Sequence, residues 1–188
     1  VKPGVIILAA GNSSRLGRPK QLLSFRGKTL LRHACDTALA TGFRPIVAVL
    51  SDPVFASETE GVDHVLNPNW QEGMGTSISA GLEKIGSEID RVIIMLCDQP
   101  LVTTQFLNSL GGNEAPIAAA EYNGIVGVPA CFGRSFFNEL MRLKKGAREI
   151  IRSHENMVVR LPCPEASFDV DTSEDLERMR LEEARNRK

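Results

Sequence analysis

An apolar run at residues 5–10, Val-Ile-Ile-Leu-Ala-Ala, passes without a break into Gly-Asn-Ser-Ser-Arg-Leu-Gly-Arg-Pro-Lys at 11–20. No other stretch limits the possible folds as tightly. A short continuous run rich in Ile, closed by glycine, reads as a strand buried on both faces. Strands of that kind belong to parallel sheets covered by helices. Gly11 and Gly17 let the backbone come close to a ligand. Exposed amides in such a loop form an anion nest, and Arg15, Arg18 and Lys20 bring positive charge to the same place. The expected occupant is a polyphosphate.

The rest of the chain repeats this alternation. Leu30, Leu31, Ala34, Cys35, Ala38 and Leu39 stand at helical spacing and predict a helix over 29–41, closed at Gly42. Strands are expected over 45–50, 62–66 and 91–96, and at best a short helix over 52–59. A helix over 75–85 has Thr76 or Ser77 near its N-cap, and another over 103–110 is introduced by Thr103. Residues 117–121 and 125–131 read as a hairpin across Tyr122-Asn123-Gly124. Helices over 136–143 and 147–153 part at Gly146, and a strand follows over 157–161. The last helix is capped by Thr172 or Ser173, and its Arg- and Glu-rich end at 178–188 reads as solvated. Strand–helix alternation implies an α/β fold with a mostly parallel sheet covered on both faces; the hairpin makes the sheet mixed. With no repeat and no linker, residues 1–188 are expected to form one domain.

Composition serves to exclude. Hydrophobic residues at 43% rule out a disordered chain, and a formal charge of −1 argues against a nucleic-acid binder. The basic loop therefore suits a small anion. Cys35, Cys97, Cys131 and Cys163 show no C-x-x-C spacing and read as small buried hydrophobes in a reducing compartment. His33, His64 and His154 are scattered and offer no metal-binding pair. No apolar stretch approaches the roughly 20 residues of a membrane span. The run at 5–10 is too short for a signal peptide, so a cytoplasmic protein without a membrane partner is expected. Gly27-Lys28-Thr29 mimics a P-loop tail, but Leu22 holds the place of its first glycine. Gly73-Met74-Gly75 mimics a dinucleotide fingerprint, but Ile78 holds the third glycine position, which counts against a nicotinamide oxidoreductase.

Ligands of open α/β sheets collect at the carboxyl ends of strands. The basic loop falls there, and so does Asp98-Gln99-Pro100 behind the 91–96 strand. Asp169-Val170-Asp171 precedes the last helix and could fold back to join them. One basic loop and two acidic points suit metal-assisted chemistry on a polyphosphate: carboxylates hold Mg²⁺, and Arg and Lys neutralise the developing charge. Trp70, the lone tryptophan, reads as core rather than as a ligand platform.

Residues 8–20 also resemble the nucleotidyltransferase pattern L-A-[AG]-G-x-S-x-R-[ML]-G-x-x-K. It is shared by the molybdenum-cofactor nucleotidyltransferases and the sugar and cytidylyl pyrophosphorylases. Asn-Pro-Asn-Trp-Gln-Glu-Gly-Met-Gly-Thr-Ser-Ile-Ser-Ala-Gly-Leu at 67–82 resembles a segment of the MocA-like branch of the MobA-like NTP transferases. Asp98-Gln99-Pro100, Gly127-Val128-Pro129, Gly146-Ala147-Arg148 and Asp169-Val170-Asp171-Thr172 are similar to further segments of that branch, in order. The resemblance implies a Rossmann-like, three-layer α/β/α nucleotidyltransferase. It implies transfer of CMP from CTP to the phosphate of molybdopterin, with release of pyrophosphate and transient contact with a recipient molybdoenzyme. The CTP choice rests on Ala10, where a guanylyl branch tends to have glycine: a methyl narrows the space near the base.

By the same resemblance, Arg15, Lys20 and Asp98 are the catalytic residues. Leu8, Ala9, Ala10, Gly11, Ser13 and Ser14, with the loop amides from 10 to 14, would bind the nucleotide, and Ser77, Ser79 and Gly81 would lie near its base or ribose. Asp98 and Asp171 would hold Mg²⁺, and Gln99, Gly127, Pro129, Arg148 and Asp169 would shape the acceptor side. The chain departs from the branch where Leu143-Lys144 replaces a Gly-Asp pair and Ser24-Phe25 replaces a Pro-containing pair. The alternatives are a guanylyl or sugar-phosphate nucleotidyltransferase, and a non-catalytic nucleotide-binding protein that delivers cofactor. The joint presence of Arg15, Lys20, Asp98 and Asp171 speaks against the second.

Overall fold

The structure, a computed structural model, describes residues 3–11 and 13–185. Its first strand, β1 (Gly4–Ala9), is buried at every position and is hydrogen-bonded to a parallel neighbour on each side. The apolar run thus became a central strand because neither of its faces meets water. In chain order there follow β2 (Ser24–Phe25), β3 (Lys28–Thr29), α1 (Leu30–Leu39), β4 (Ile46–Leu50), β5 (Asp63–Leu66), α2 (Met74–Ile85), β6 (Arg91–Leu96) and α3 (Thr104–Gly111). The chain continues with β7 (Ile117–Tyr122), β8 (Ile125–Gly133), α4 (Phe137–Leu140), α5 (Arg148–Ser153), β9 (Val158–Pro162) and α6 (Ser173–Arg185). Residues 53–59 form a 3₁₀ turn, in keeping with the expected short helix.

Seven of these strands make one sheet in the order β5-β4-β1-β6-β8-β7-β9. Only β8 runs against its neighbours, β6 and β7; the other pairs are parallel. The mixed, mostly parallel sheet and its two helical layers are the expected Rossmann-like α/β/α architecture. Alternation along β1 splits the core. Val5, Ile7 and Ala9 pack with Leu31, Cys35 and Ala38 of α1 and Leu107 and Leu110 of α3. Ile6, Leu8 and Ala10 pack on the other face with Ile78 and Leu82 of α2 and Ile150 and Ile151 of α5. All four cysteines are buried and free. No helix among the described residues is long and apolar enough to cross a membrane.

One feature of α2 corrects the sequence reading. Its N-cap is Gly73 at φ 127°, a left-handed value that favours glycine, rather than Thr76 or Ser77. The hydroxyl of Thr76 donates to the carbonyls of Gly73 and Asn69, while Asn67 donates to Thr76 Oγ1 and Ser77 Oγ at 2.9 Å each. Gly75 lies so close to the loop between α4 and α5 that a Cβ there would stand 2.0 Å from the Leu143 carbonyl oxygen. The glycines thus let the 143–146 segment lie directly on the start of α2.

A third cluster ties the ends of the chain together. Leu23, Phe25 and Leu30 pack with Phe168, Val170 and Met179, and Leu16, Leu101 and Leu176 flank them. Burying a side chain of this size is worth about 1.5–3 kcal/mol. This cluster, with a Val170 N–H to Asp98 O bond of 3.1 Å, brings the segment before α6 beside the end of β6. The little β2–β3 hairpin in the cluster has two-residue strands and left no periodic signal in the sequence.

Candidate active site

The loop behind β1 is held by its own side chains. Ser13 Oγ accepts the Lys20 N–H at 2.9 Å. Gln21, 1% exposed, donates through Nε2 to the Ala9 carbonyl at 2.6 Å and to the Gly11 carbonyl at 3.3 Å. These bonds fix the direction in which Lys20 leaves the loop. Its ammonium lies 2.5 Å from Asp98 Oδ2 and 2.7 Å from Asp171 Oδ1. The Lys20 and Asp98 side chains are 12% and 9% exposed, and Asp171 is 33% exposed. Arg15 is open to solvent, with Nη2 3.4 Å from Asp171 Oδ2. The basic loop, the end of β6 and the segment before α6 therefore meet at one point.

The electrostatics follow from burial and pairing. Burial alone would lower the Lys20 pKa, yet Asp98 and Asp171 outweigh it and hold the ammonium charged well above the ordinary lysine value. Burial pushes the Asp98 carboxyl above its ordinary value, Lys20 opposes that rise, and the Asp171 and Asp169 charges add to it. Asp98 Oδ1 is buried and has no hydrogen-bond partner. This carboxylate is thus half satisfied by lysine and keeps one oxygen free for a further cation or donor.

Beside this point lies a cavity of about 500 Å³, lined by residues that include Leu8, Ala10, Gly11, Lys20, Ser77 and Asp98. These six were expected at the site. Trp70, Gln71, Met74, Leu96 and Cys97 complete the wall. Trp70 also packs against the core beside α2, so its ring serves both as core and as cavity wall. Ser13 and Ser14 line an adjoining cleft with Gly17, Arg18 and Asp52. Ala9 contributes its carbonyl rather than its side chain, which is buried in the opposite layer. Asn12, part of the expected amide cradle, lies outside the described residues, as do residues 186–188 of the expected helix end.

Two expected nucleotide contacts are not brought to the cavity. Ser79 faces the far side of α2, where its hydroxyl donates to Glu83 and lines a different cleft. Gly81 lies against the sheet, and a Cβ there would come 2.8 Å from Ile6 Cγ2. Its role in this fold is close packing of α2. On the acceptor side, Gln99 is buried and donates to the Ala166 and Val128 carbonyls at 2.8 and 3.5 Å. Gly127 and Pro129 are buried in β8, with Gly127 against the Tyr122 hydroxyl. Asp169 is exposed. Arg148 opens α5 and lines a second cavity rather than the first. Gln21 and Met74 were missed: Gln21 belongs to no periodic pattern, and Met74 reads as an ordinary helix residue.

A parallel sheet with one reversed strand, a Gly-containing loop behind β1 and a lysine bracketed by two carboxylates define a Rossmann-like nucleotidyltransferase fold. The chain belongs to the MobA-like NTP transferase family, whose model matches residues 5–158. Within it, the motifs at 8–20, 67–82 and 98–100 put the chain near the MocA-like branch. It is 31% identical to the nicotine blue oxidoreductase of Paenarthrobacter nicotinovorans, with 93% of this chain and 94% of that one covered. It is 28% identical to a probable molybdenum cofactor guanylyltransferase of Nostoc, covering 91% and 87% of the two chains. Among solved structures, Rv0371c of Mycobacterium tuberculosis is similar at a TM-score of 0.81 and 30% identity, over 95% of this chain and 98% of that one. That protein has also been solved in complex with manganese.

Proposed function

We propose that this protein transfers CMP from CTP to the terminal phosphate of molybdopterin and releases pyrophosphate. One observation carries the reading: Lys20 bridges Asp98 and Asp171, carboxylates 78 and 151 residues away, at the edge of a cavity walled by the β1 loop. Mere nucleotide binding needs the loop. Phosphoryl chemistry also needs paired acids and a mobile cation beside it.

The reaction needs no protein nucleophile. The acceptor phosphate attacks the α-phosphorus in line with the leaving pyrophosphate, so positioning and charge neutralisation do the catalysis. Lys20 is the group that changes partners. When a triphosphate enters, its oxygens compete with Asp98 and Asp171 for the ammonium, and both carboxylates are released together. Arg15, exposed beside Asp171, swings onto the phosphates and neutralises charge on the leaving group. Gly11 and the neighbouring loop amides hold the triphosphate.

The donor set fits Mg²⁺. Hard carboxylate oxygens converge here, and Asp98 Oδ1 is buried without a partner. Among the described residues no group of three or more His, Cys, Asp or Glu side chains gathers, so the remaining ligands would be phosphate oxygens and water, as Mg²⁺ favours. Asp98 and Asp171 would hold the ion, and when bound it supplies charge neutralisation on the phosphate oxygens. Ala10, buried in the cavity wall, supports the choice of CTP, since its methyl takes space from a purine. Transfer to a recipient molybdoenzyme and a cytoplasmic location accord with this reaction.

The test is pyrophosphate release with each NTP, with and without molybdopterin and Mg²⁺. Release with CTP that depends on molybdopterin supports the reading; release with GTP alone favours a guanylyl enzyme; release with none refutes transfer. A second reading has one specific support, the nicotine blue oxidoreductase relative. An assay for reduction of nicotine blue with each common hydride donor separates the two. The present chain lacks the third glycine of a dinucleotide fingerprint, and Ile78 at that position is buried inside α2.

A further inference from the structure

A cavity of about 420 Å³ lies on the same face of the sheet as the first, toward the β9 edge. Its floor includes Val126 and Val158, which pack with the cluster that holds Leu8, Ala10 and Leu96. Its wall carries Arg148, Arg152 and Arg160, with Glu155 as the acid. Arg160 is held by Glu155 and lies 3.6 Å from Glu121. Arg148 and Arg152 form no ion pair among the described residues, although they stand one turn apart on α5. Like charges at that spacing destabilise a helix. Two guanidinium groups without an ion pair, a third already held by Glu155 and Glu121, and apolar Val126, Ile151 and Val158 line this cavity, and guanidinium groups match phosphate or carboxylate oxygens. In a chain of net charge −1, this concentration of positive charge is local. A cavity of this volume suits a small molecule.

The charge of Arg148 also acts on Tyr122, which packs with the core on the other face of the sheet. Burial raises the Tyr122 pKa and the nearby Arg148 charge opposes it. The Tyr122 hydroxyl donates to the Val128 carbonyl at 3.3 Å, and Gln99, next to Asp98, donates to the same carbonyl at 3.5 Å. Three strand spacings separate β6 from β9, a distance of about 14 Å.

We propose that this cavity is a second oxyanion site, separate from the triphosphate cavity, that takes a phosphate or carboxylate group of a small molecule. The group has two possible sources: a second anionic end of the acceptor, or a free anion. The first source rests on the proposed transfer reaction; the site itself does not.

Crystals of the protein soaked in tungstate locate oxyanions directly. The expected result is an anomalous peak between Arg148, Arg152 and Arg160, separate from any peak at Lys20. It should vanish in Arg148→Gln/Arg152→Gln, whose thermal midpoint stays near wild type because both side chains are exposed. Arg152→Lys, which keeps the charge, should retain a weaker peak and guards against a folding artefact. The absence of a peak there in wild type, or a peak unchanged in the double variant, overturns the proposal. Kinetics then assign the source. If the acceptor supplies the anion, Arg152→Gln raises the acceptor KM at least tenfold and leaves the CTP KM unchanged. If the anion is free, the tungstate peak is lost and both KM values hold. Should no NTP release pyrophosphate, the transfer reading fails while the tungstate result still decides the site.

Discussion

Replacing Lys20 by Met removes the cation that two carboxylates share and leaves a side chain of similar length. At 2.5 and 2.7 Å, each contact is worth about 6 kcal/mol of direct attraction at an effective dielectric of about 20. Most of that gain offsets the desolvation of groups that are 12% and 9% exposed. What the substitution exposes is the penalty of a buried, uncompensated Asp98, about 3–5 kcal/mol. Asp171 adds less because water reaches it. For a chain of this size the loss corresponds to a fall of about 6–20 °C in thermal midpoint. Urea unfolding of wild type, Lys20→Met, Asp98→Asn and the double variant forms a cycle. In the double variant neither charge is stranded, so its cost should fall below the sum of the single costs by about 2 kcal/mol or more. Additive costs, or a Lys20→Met protein within about 0.5 kcal/mol of wild type, would refute the view that this lysine neutralises a buried acid.

Asp98→Ala should lower Mg²⁺-dependent pyrophosphate release by about 100-fold or more while the protein stays folded, and an active variant removes Asp98 from the centre. Ala10→Gly should raise GTP turnover relative to CTP by about tenfold, and an unchanged ratio removes Ala10 as the base selector. Gly75→Ala drives a methyl into the Leu143 carbonyl and should cost about 1–3 kcal/mol in urea unfolding; no loss would mean that the 143–146 segment yields freely. His33 is partly buried, and burial, with the Lys28 and Arg26 charges, lowers its pKa from 6.5. The unfolded chain therefore binds this proton first, and the His33 contribution is fully present above pH 6.5 and is lost as pH falls through the lower folded value. His33→Gln should flatten that slope in a pH series of urea midpoints.

Central elements were legible because burial on both faces leaves one kind of pattern. Val5 to Ala9 and Val92 to Leu96 are apolar runs with no room for polar periodicity, and both lie in strands where expected. The α2 cap was not legible. Thr76 and Ser77 are good capping residues, but Asn67, nine and ten positions earlier, engages both hydroxyls. Local propensity cannot anticipate a tertiary partner. At the site, Lys20 and Asp98 were readable from their places behind strands and Asp171 from its place before the last helix, while its role as a metal ligand came from the resemblance. Ser79 and Gly81 fail for a geometric reason. At 3.6 residues per turn, Ser79 points away from the side that carries Ser77, and Gly81 lies a turn further along the sheet. Gln21 left no trace because its task, satisfying two carbonyls of a bend, exists only once the bend has formed.

The cluster of Phe25, Leu30, Phe168 and Val170 makes the meeting of Lys20 and Asp171 depend on packing between distant parts of the chain. Lys20 and Asp171 are 151 positions apart and neither lies in a strand of the sheet, so this cluster is what closes the long loop between them. Until residues 168–179 dock, a growing chain holds the cationic loop and Asp98 but not the second acid. The proposed site is therefore complete only when two stretches from opposite parts of the chain are packed together.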